Sequence, residues 1–90
     1  MADSPLSELS GRILLAIWKL NGIGSRAIRE QALRSDLKLE PDQFLHEAET
    51  LTQRGFLDKS TFDGQPAFSL TPLGLAILRQ LEEDRLQELR

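Results

Sequence analysis

Hydrophobic residues recur three to four positions apart, the spacing of one helix face, in four segments of the chain. The first segment predicts a helix over 5–21, with Ser4 as its N-cap and Pro5 in its first turn. Its middle is apolar nearly all round, which is typical of a helix that is buried from more than one side. The second segment predicts a helix over 25–35 with Ser25 as its N-cap; its inward positions are Ile28, Ala32 and Leu33.

The third segment predicts a helix over 41–54 that begins at a proline and ends before Gly55. Glycine suits this end because it adopts the left-handed conformation without a Cβ clash. The inward positions of this helix are Phe44, Ala48 and Leu51. The fourth segment predicts a last helix over 72–88, capped by Thr71.

Between the last two helices the hydrophobic period changes from helical to alternating. This pattern predicts a hairpin over 56–70, because Asp63-Gly64 is a pair that type I′ turns favour. Phe62 and Phe68 are expected to pair across the two strands on the core side. The chain therefore predicts a mainly α fold with a small antiparallel β-hairpin.

A helix that runs through a glycine into a hairpin and then into a last helix resembles the back half of a winged helix-turn-helix. The residues that carry the resemblance are Leu51, Arg54-Gly55-Phe56-Leu57, Asp63-Gly64 and Leu70-Thr71-Pro72-Leu73-Gly74. They are similar to the sequence pattern of MarR-like and PadR-like transcriptional regulators over the same elements. The resemblance implies one domain over 1–90 with a three-helix core, a recognition helix at 41–54, a wing at 56–70 and a C-terminal helix. It also implies a brief first strand near Gly22-Ile23-Gly24 that pairs with the wing.

The segment Leu20-Asn21-Gly22-Ile23-Gly24, followed by Ala27-Ile28, offers a competing interpretation. It resembles the helix-hairpin-helix, in which a Gly-x-Gly turn lets backbone amides approach a phosphate. The alanine comes one position earlier than in that motif, and the predicted hairpin has no place in that fold.

Composition narrows the class of protein. Ninety residues with 40% hydrophobic and 28% charged side chains fit one small globular domain. The absence of cysteine excludes disulfides and thiolate metal sites. No apolar run reaches the roughly 20 residues that cross a bilayer, and the first residues do not resemble a secretory signal. We therefore expect a cytoplasmic protein that does not bind membranes.

Candidate catalytic chemistry is sparse. His46 is the one histidine, and with Glu47 and Glu49 it offers at most two ligands to a metal. The sequence has no phosphate-binding loop of the Walker or dinucleotide type. We therefore expect no enzymatic activity, no metal and no cofactor.

The resemblance implies a regulator that binds double-stranded DNA, and the charge distribution constrains which residues do so. The net charge is −3, but residues 1–38 carry +2 and residues 39–90 carry −5. Since phosphate neutralisation supplies much of DNA affinity, the phosphate contacts are expected from basic residues of the first half: Arg26, Arg29 and Lys38. The outward positions of the recognition helix that can read bases are Gln43, His46, Thr50 and Gln53. The expected wing contacts are Lys59 and Gln65, although MarR-like wings usually carry an arginine where Gln65 stands.

Two questions stay open at this point. The apolar surplus of the first and last helices predicts a homodimer through Leu14, Trp18, Leu75, Leu78, Leu86 and Leu89. Alternatively, Leu14 and Trp18 pack against the chain's own last helix. The second function considered is a winged helix that binds a basic protein partner instead of DNA. That function is favoured if Glu47 and Glu49 both project outward beside the base-reading residues.

Overall fold

The computed structural model describes residues 7–24 and 26–88, with side chains up to Glu83. The elements in chain order are α1 (Glu8–Lys19), β1 (Ile28–Arg29), α2 (Glu30–Leu37), α3 (Pro41–Gln53), β2 (Leu57–Phe62), β3 (Gln65–Leu70) and α4 (Pro72–Glu88). The strands form an antiparallel sheet in the order β1-β3-β2. This arrangement confirms the predicted mainly α winged helix-turn-helix, with one strand more than the hairpin.

The first helix begins at Glu8 because Ser7 caps it. The Ser7 hydroxyl accepts a hydrogen bond from the Ser10 N–H at 3.1 Å and so satisfies one of the free donors of the first turn. The cap predicted at Ser4 lies outside the described residues. The helix ends at Lys19, two residues before the predicted end.

The segment before α2 differs from the prediction. A helix was predicted over 25–35, but Ile28 and Arg29 form β1 and pair with Phe68 and Ala67 of β3. The β-branched Ile28 suits a strand, and the pairing satisfies its backbone. The predicted cap Ser25 lies outside the described residues, and the helix begins five positions later at Glu30.

This shift corrects two further expectations. Ala32, predicted to face inward, is exposed, whereas Leu33 is fully buried and Leu37 half-buried on the true inward face. The helix-hairpin-helix interpretation is also wrong, because a strand follows where its second helix would begin. The expected early strand at Gly22-Ile23-Gly24 is reduced to an isolated bridge between Ile23 and Leu70.

The turn between α2 and α3 is shorter than predicted. The second helix continues to Leu37, and Lys38 ends it in the left-handed conformation with φ of 56°. Only residues 38–40 then separate it from Pro41, the first residue of α3. The two helices of the helix-turn-helix are thereby joined by three residues instead of the five that the predicted bounds leave.

The end of α3 and the turn of the hairpin have the conformations that the sequence predicts. Gly55 has a positive φ, and the N–H groups of Gly55 and Phe56 donate to the carbonyls of Thr52 and Leu51, the hydrogen-bond pattern of a Schellman cap. Asp63 and Gly64 both have positive φ, as a type I′ turn requires.

One core unites these elements. Its fully buried members include residues from α1, α2, α3 and β3, and the rings of Phe44 and Phe68 meet edge to face at 5.7 Å. The predicted pairing of Phe62 with Phe68 is wrong, since Phe62 lies opposite Gln65 and is 55% exposed. Phe68 lies opposite Lys59 and faces α3.

Candidate nucleic-acid interface

The exposed face of α3 carries most of the residues predicted to read bases. Gln43, His46 and Gln53 are exposed, while Thr50 is half-buried beside them. The Thr50 hydroxyl donates to the backbone carbonyl of His46 at 3.0 Å, so its proton is engaged within the helix. These four side chains lie on one face because their spacing follows the helical period.

Glu47, whose outward projection would favour a protein partner, turns away from that face. Its carboxylate accepts hydrogen bonds from the hydroxyls of Ser10 at 2.8 Å and Ser7 at 3.4 Å, and its side chain is half-buried against the start of α1. Ser10 itself is 4% exposed. A negative charge that weakens contact with phosphates is thus held to one side by two serines nearly 40 residues away.

Glu49 remains on the exposed face, but the wing neutralises it. Lys59 of β2 reaches back to α3 and places its Nζ 3.5 Å from Glu49 Oε1. Asp42 is also exposed and lies one helical turn before His46. It was not among the residues predicted for this face. It suits the first turn of a helix, where a negative charge interacts favourably with the helix dipole. This acidic edge is the main departure from a typical groove-reading helix.

The position of Arg29 differs from the prediction. Arg29 was predicted within the helix over 25–35, but it lies on β1 and extends to the tip of the wing. Its guanidinium lies 4.7 Å from the centre of the Phe62 ring and 3.2 Å from Asp63 Oδ2. The wing tip therefore carries a cation that neither of its own strands supplies.

The remaining predicted contacts are dispersed around this face. Arg26 lies in the link before β1, Lys38 caps α2, and Gln65 opens β3; all three are exposed. Within the described part of the chain, neither Arg26 nor Lys38 has a carboxylate partner. The structure thus joins Lys59 to α3 and Arg29 to the wing, and leaves Arg26 and Lys38 available to a ligand.

The predicted dimerisation residues divide into two groups. Leu14 is fully buried in the chain's own core and Leu78 nearly so, which leaves Leu14 no surface for a partner. A cleft of about 800 Å³ lies between α1 and α4 and is lined by Trp18, Leu75 and Leu78. Trp18 is 47% exposed there. The side chain of Leu86 and the whole of Leu89 lie outside the described residues.

The described residues show no group of three His, Asp or Glu side chains placed to hold a metal ion. Their helices also include none that is long and apolar enough to cross a membrane.

Of the comparisons with known proteins, those with solved structures identify the fold. Neither protein-family models nor curated protein sequences give a match. Among solved structures, the complex hsRosR-S4 matches with a TM-score of 0.81 at 18% identity, over 93% of this chain and 74% of that one. A MarR-family transcriptional regulator from Rhodococcus sp. RHA1 matches with a TM-score of 0.77 at 14% identity, over 89% of this chain and 55% of that one. BpsR of Bordetella bronchiseptica matches with a TM-score of 0.80 at 20% identity, over 97% of this chain and 60% of that one.

These neighbours support the MarR-like part of the predicted resemblance, while the PadR-like part stays a prediction. The chain corresponds to little more than half of the Rhodococcus and Bordetella proteins. It has the winged-helix fold of MarR-family transcriptional regulators.

Proposed function

We propose that this chain is a cytoplasmic DNA-binding transcriptional regulator without enzymatic activity. The observation that carries the proposal is the exposed face of α3, where Gln43, His46 and Gln53 are accessible while Glu47 is held against α1. A helix of this kind fits the major groove, and a wing lies beside it to contact the flanking backbone. The structural similarity to BpsR, whose DNA binding is regulated by 6-hydroxynicotinic acid, supports the same function.

Each polar group on this face has a chemical role that fits base edges. Gln43 and Gln53 can pair with adenine through their amide groups, His46 can bond to a base or a phosphate, and the Thr50 methyl suits a thymine methyl. The exposed basic residues around the face, namely Arg26, Arg29, Lys38 and Lys59, supply the positive charge that attracts the phosphate backbone. Gln65 is a further polar contact at the wing.

The number of available cations sets the expected salt dependence. If all four basic residues contact phosphates, the slope of log affinity against log salt is about −3.6 per chain. If Arg29 and Lys59 stay with their own carboxylates, Arg26 and Lys38 alone give about −1.8. Between about 50 and 200 mM salt, affinity should therefore fall by roughly 10-fold to 150-fold.

Fluorescence anisotropy with a random duplex at these two salt concentrations tests the proposal. Arg26→Glu should weaken binding at low salt and reduce the slope by about one, since it removes one phosphate contact. The matched control is Arg12→Glu, which reverses the charge of an exposed arginine on α1, away from α3 and the wing. No binding by the folded chain at low salt contradicts the proposal, as does an equal effect of the two variants.

We further propose that the chain acts as a homodimer through the cleft between α1 and α4. Trp18 and Leu75 present apolar surface there, and Trp18 is among the most exposed large hydrophobic residues that the structure describes. A two-fold dimer places two recognition helices in successive major grooves, about one helical turn apart. Leu14 has no part in this interface, because it is buried within one chain.

Light scattering after gel filtration tests the dimer. We expect a mass of twice 10.1 kDa for the unaltered chain and 10.1 kDa for Trp18→Glu. Leu73→Glu is the matched control, since Leu73 is 51% exposed and lies outside the cleft. A monomeric unaltered chain at about 100 μM contradicts the dimer and leaves DNA binding to be judged separately.

A protein-interaction module is the second candidate. The observation that favours it is the acidic edge of α3, where Asp42 and Glu49 are exposed on a helix that contains no lysine or arginine. A basic partner would replace Lys59 as the counter-charge of Glu49. Absence of DNA binding in the experiment above, with the protein folded, would support this candidate.

A further inference from the structure

We propose that Arg29 acts as the minor-groove contact of the wing, although it lies outside the β2–β3 hairpin. The inference rests on the proposed function and adds to it a residue that determines a preference for DNA shape. The cluster that carries it consists of Arg29, Phe62 and Asp63, one residue from β1, one from the end of β2 and one from the turn.

The position of the guanidinium follows from the register of the sheet. Arg29 pairs with Ala67 of β3, and its side chain extends along the sheet to the hairpin end, where Phe62 pairs with Gln65. There it stacks over the Phe62 ring at 4.7 Å. Phe62 is 55% exposed and does not belong to the hydrophobic core, so its ring is available to stack against the Arg29 guanidinium.

The reach of the hairpin matches the spacing of the grooves. A strand of six residues spans about 20 Å, and β2 runs that length from the end of α3 to the tip. On B-DNA, the centres of adjacent major and minor grooves are separated by about half of a 34–36 Å helical turn. With α3 in the major groove, the wing tip therefore meets the next minor groove.

A stacked arginine suits that environment. The guanidinium is planar and more weakly hydrated than an ammonium, so it enters a narrow groove at lower cost than lysine does. Narrow A-tract minor grooves have an enhanced negative potential that attracts arginine. The Phe62 ring holds the guanidinium at the tip through an interaction that does not consume its N–H donors.

Asp63 competes with DNA for the same guanidinium. The two side chains are 48% and 78% exposed, so their ion pair is solvent-screened and readily exchanged. Removal of the Asp63 carboxylate should therefore release Arg29 to the groove and also remove repulsion from the phosphates. Asp63→Asn is a clean variant for this purpose, because asparagine tolerates the left-handed φ of 53° and Asn-Gly favours the same turn.

The experiment compares two duplexes of equal base composition, one with A-tracts and one in which TA steps interrupt them, by fluorescence anisotropy. We expect the unaltered chain to prefer the A-tract duplex by about threefold to tenfold. Arg29→Lys should abolish this preference while it keeps the charge, and Phe62→Leu should reduce it by about twofold to fivefold. Asp63→Asn should strengthen A-tract binding by about threefold. Arg12→Lys, at an exposed position of α1 away from α3 and the wing, is the matched control and should leave the preference unchanged.

Four outcomes would overturn the inference. An unaltered chain that binds both duplexes equally would contradict the groove contact while the proposed function stands. An Arg29→Lys variant that keeps the preference would show that another residue reads the groove. An Arg29→Lys variant that loses the same affinity for both duplexes would assign Arg29 to a phosphate. If the unaltered chain binds neither duplex, the proposed function itself fails and the inference fails with it.

Discussion

Gly74→Ala is a sharp test of how the last helix is attached to the wing. A Cβ at position 74 would overlap the carbonyl oxygen of Phe56 and lie 3.0 Å from its carbonyl carbon and 3.3 Å from its Cα. These are backbone atoms, and the same oxygen accepts the Thr71 N–H at 3.2 Å. The obstacle therefore cannot rotate away, as a side chain could, and α4 itself must shift.

The expected loss of stability follows from three magnitudes. A domain of 90 residues has a free energy of unfolding of roughly 5–13 kcal/mol. Overpacking against a rigid neighbour lowers the free energy of unfolding by about 3 kcal/mol. The better helix propensity of alanine offsets at most about 1 kcal/mol of this loss. We therefore expect Gly74→Ala to lower the free energy of unfolding by about 2 kcal/mol, which corresponds to a Tm about 8–16 °C lower.

Gly11→Ala is the matched control, because it makes the same chemical change within a helix. A Cβ at position 11 would meet only Leu81 Cδ1 at 3.7 Å, an ordinary van der Waals distance. We expect this variant to raise the free energy of unfolding by up to about 1 kcal/mol. The opposite signs of the two variants separate the clash from any general effect of alanine.

Thermal and urea unfolding followed by circular dichroism measure both variants. Trp18, the one tryptophan of the chain, lines the cleft beside α4 and reports the docking of that helix by its fluorescence. A displaced α4 should shift its emission in Gly74→Ala and not in Gly11→Ala. If Gly74→Ala is as stable as the unaltered chain and its emission is unchanged, the close approach of α4 to Phe56 is refuted.

Three further predictions test the polar contacts. Ser10→Ala should lower the free energy of unfolding by about 1–2 kcal/mol in urea titrations, because it leaves the half-buried Glu47 without its 2.8 Å hydrogen bond; a loss within error would contradict that role. Lys38→Gly should stabilise the chain by about 0.5–1 kcal/mol through relief of the left-handed conformation, yet reduce the salt slope of DNA binding by about one; unchanged stability would argue against the strain. Glu49→Gln should free Lys59 and steepen that slope by about one, and an unchanged slope would mean that Lys59 contacts no phosphate.

The parts of the fold that the sequence predicts are those with local signals. Gly55, Asp63-Gly64 and Thr71 each take a conformation or a hydrogen bond that few other residues provide. The inward face of α3 follows from the spacing of three apolar residues, of which Phe44 meets the sheet. Each of these features depends on neighbours within a few positions along the chain.

The parts that sequence reasoning missed depend on distant partners. Ile28 fits a helical stripe, and only its pairing with Phe68, 40 positions away, makes it a strand residue. The predicted start of α2 at residue 25 is wrong for the same reason, since Ile28 and Arg29 belong to β1. Phe62 was predicted to pair with Phe68 on the core side, whereas the hairpin register pairs it with Gln65 and places it on the other face, beside Arg29.

The candidate nucleic-acid interface also combines features that the local sequence predicts with features that distant contacts determine. The exposure of Gln43, His46 and Gln53 follows from the helical period. The orientation of Glu47 does not, because it is set by Ser10 of another helix, and a serine within an apolar stripe carries no signal of that contact. A buried hydroxyl requires a hydrogen-bond partner. The sequence therefore predicts that Ser10 has a partner, but it does not identify that partner as Glu47.

Amide chemical-shift mapping by NMR tests the central claim most directly. On addition of a duplex at low salt, we expect the largest changes at His46, Gln53 and the other exposed positions of α3, and at the wing tip around Asp63. The lining of the cleft near Trp18 should change little. Perturbations confined to the cleft, or none at all with the chain folded, would contradict the claim that α3 and the wing form a DNA-binding face.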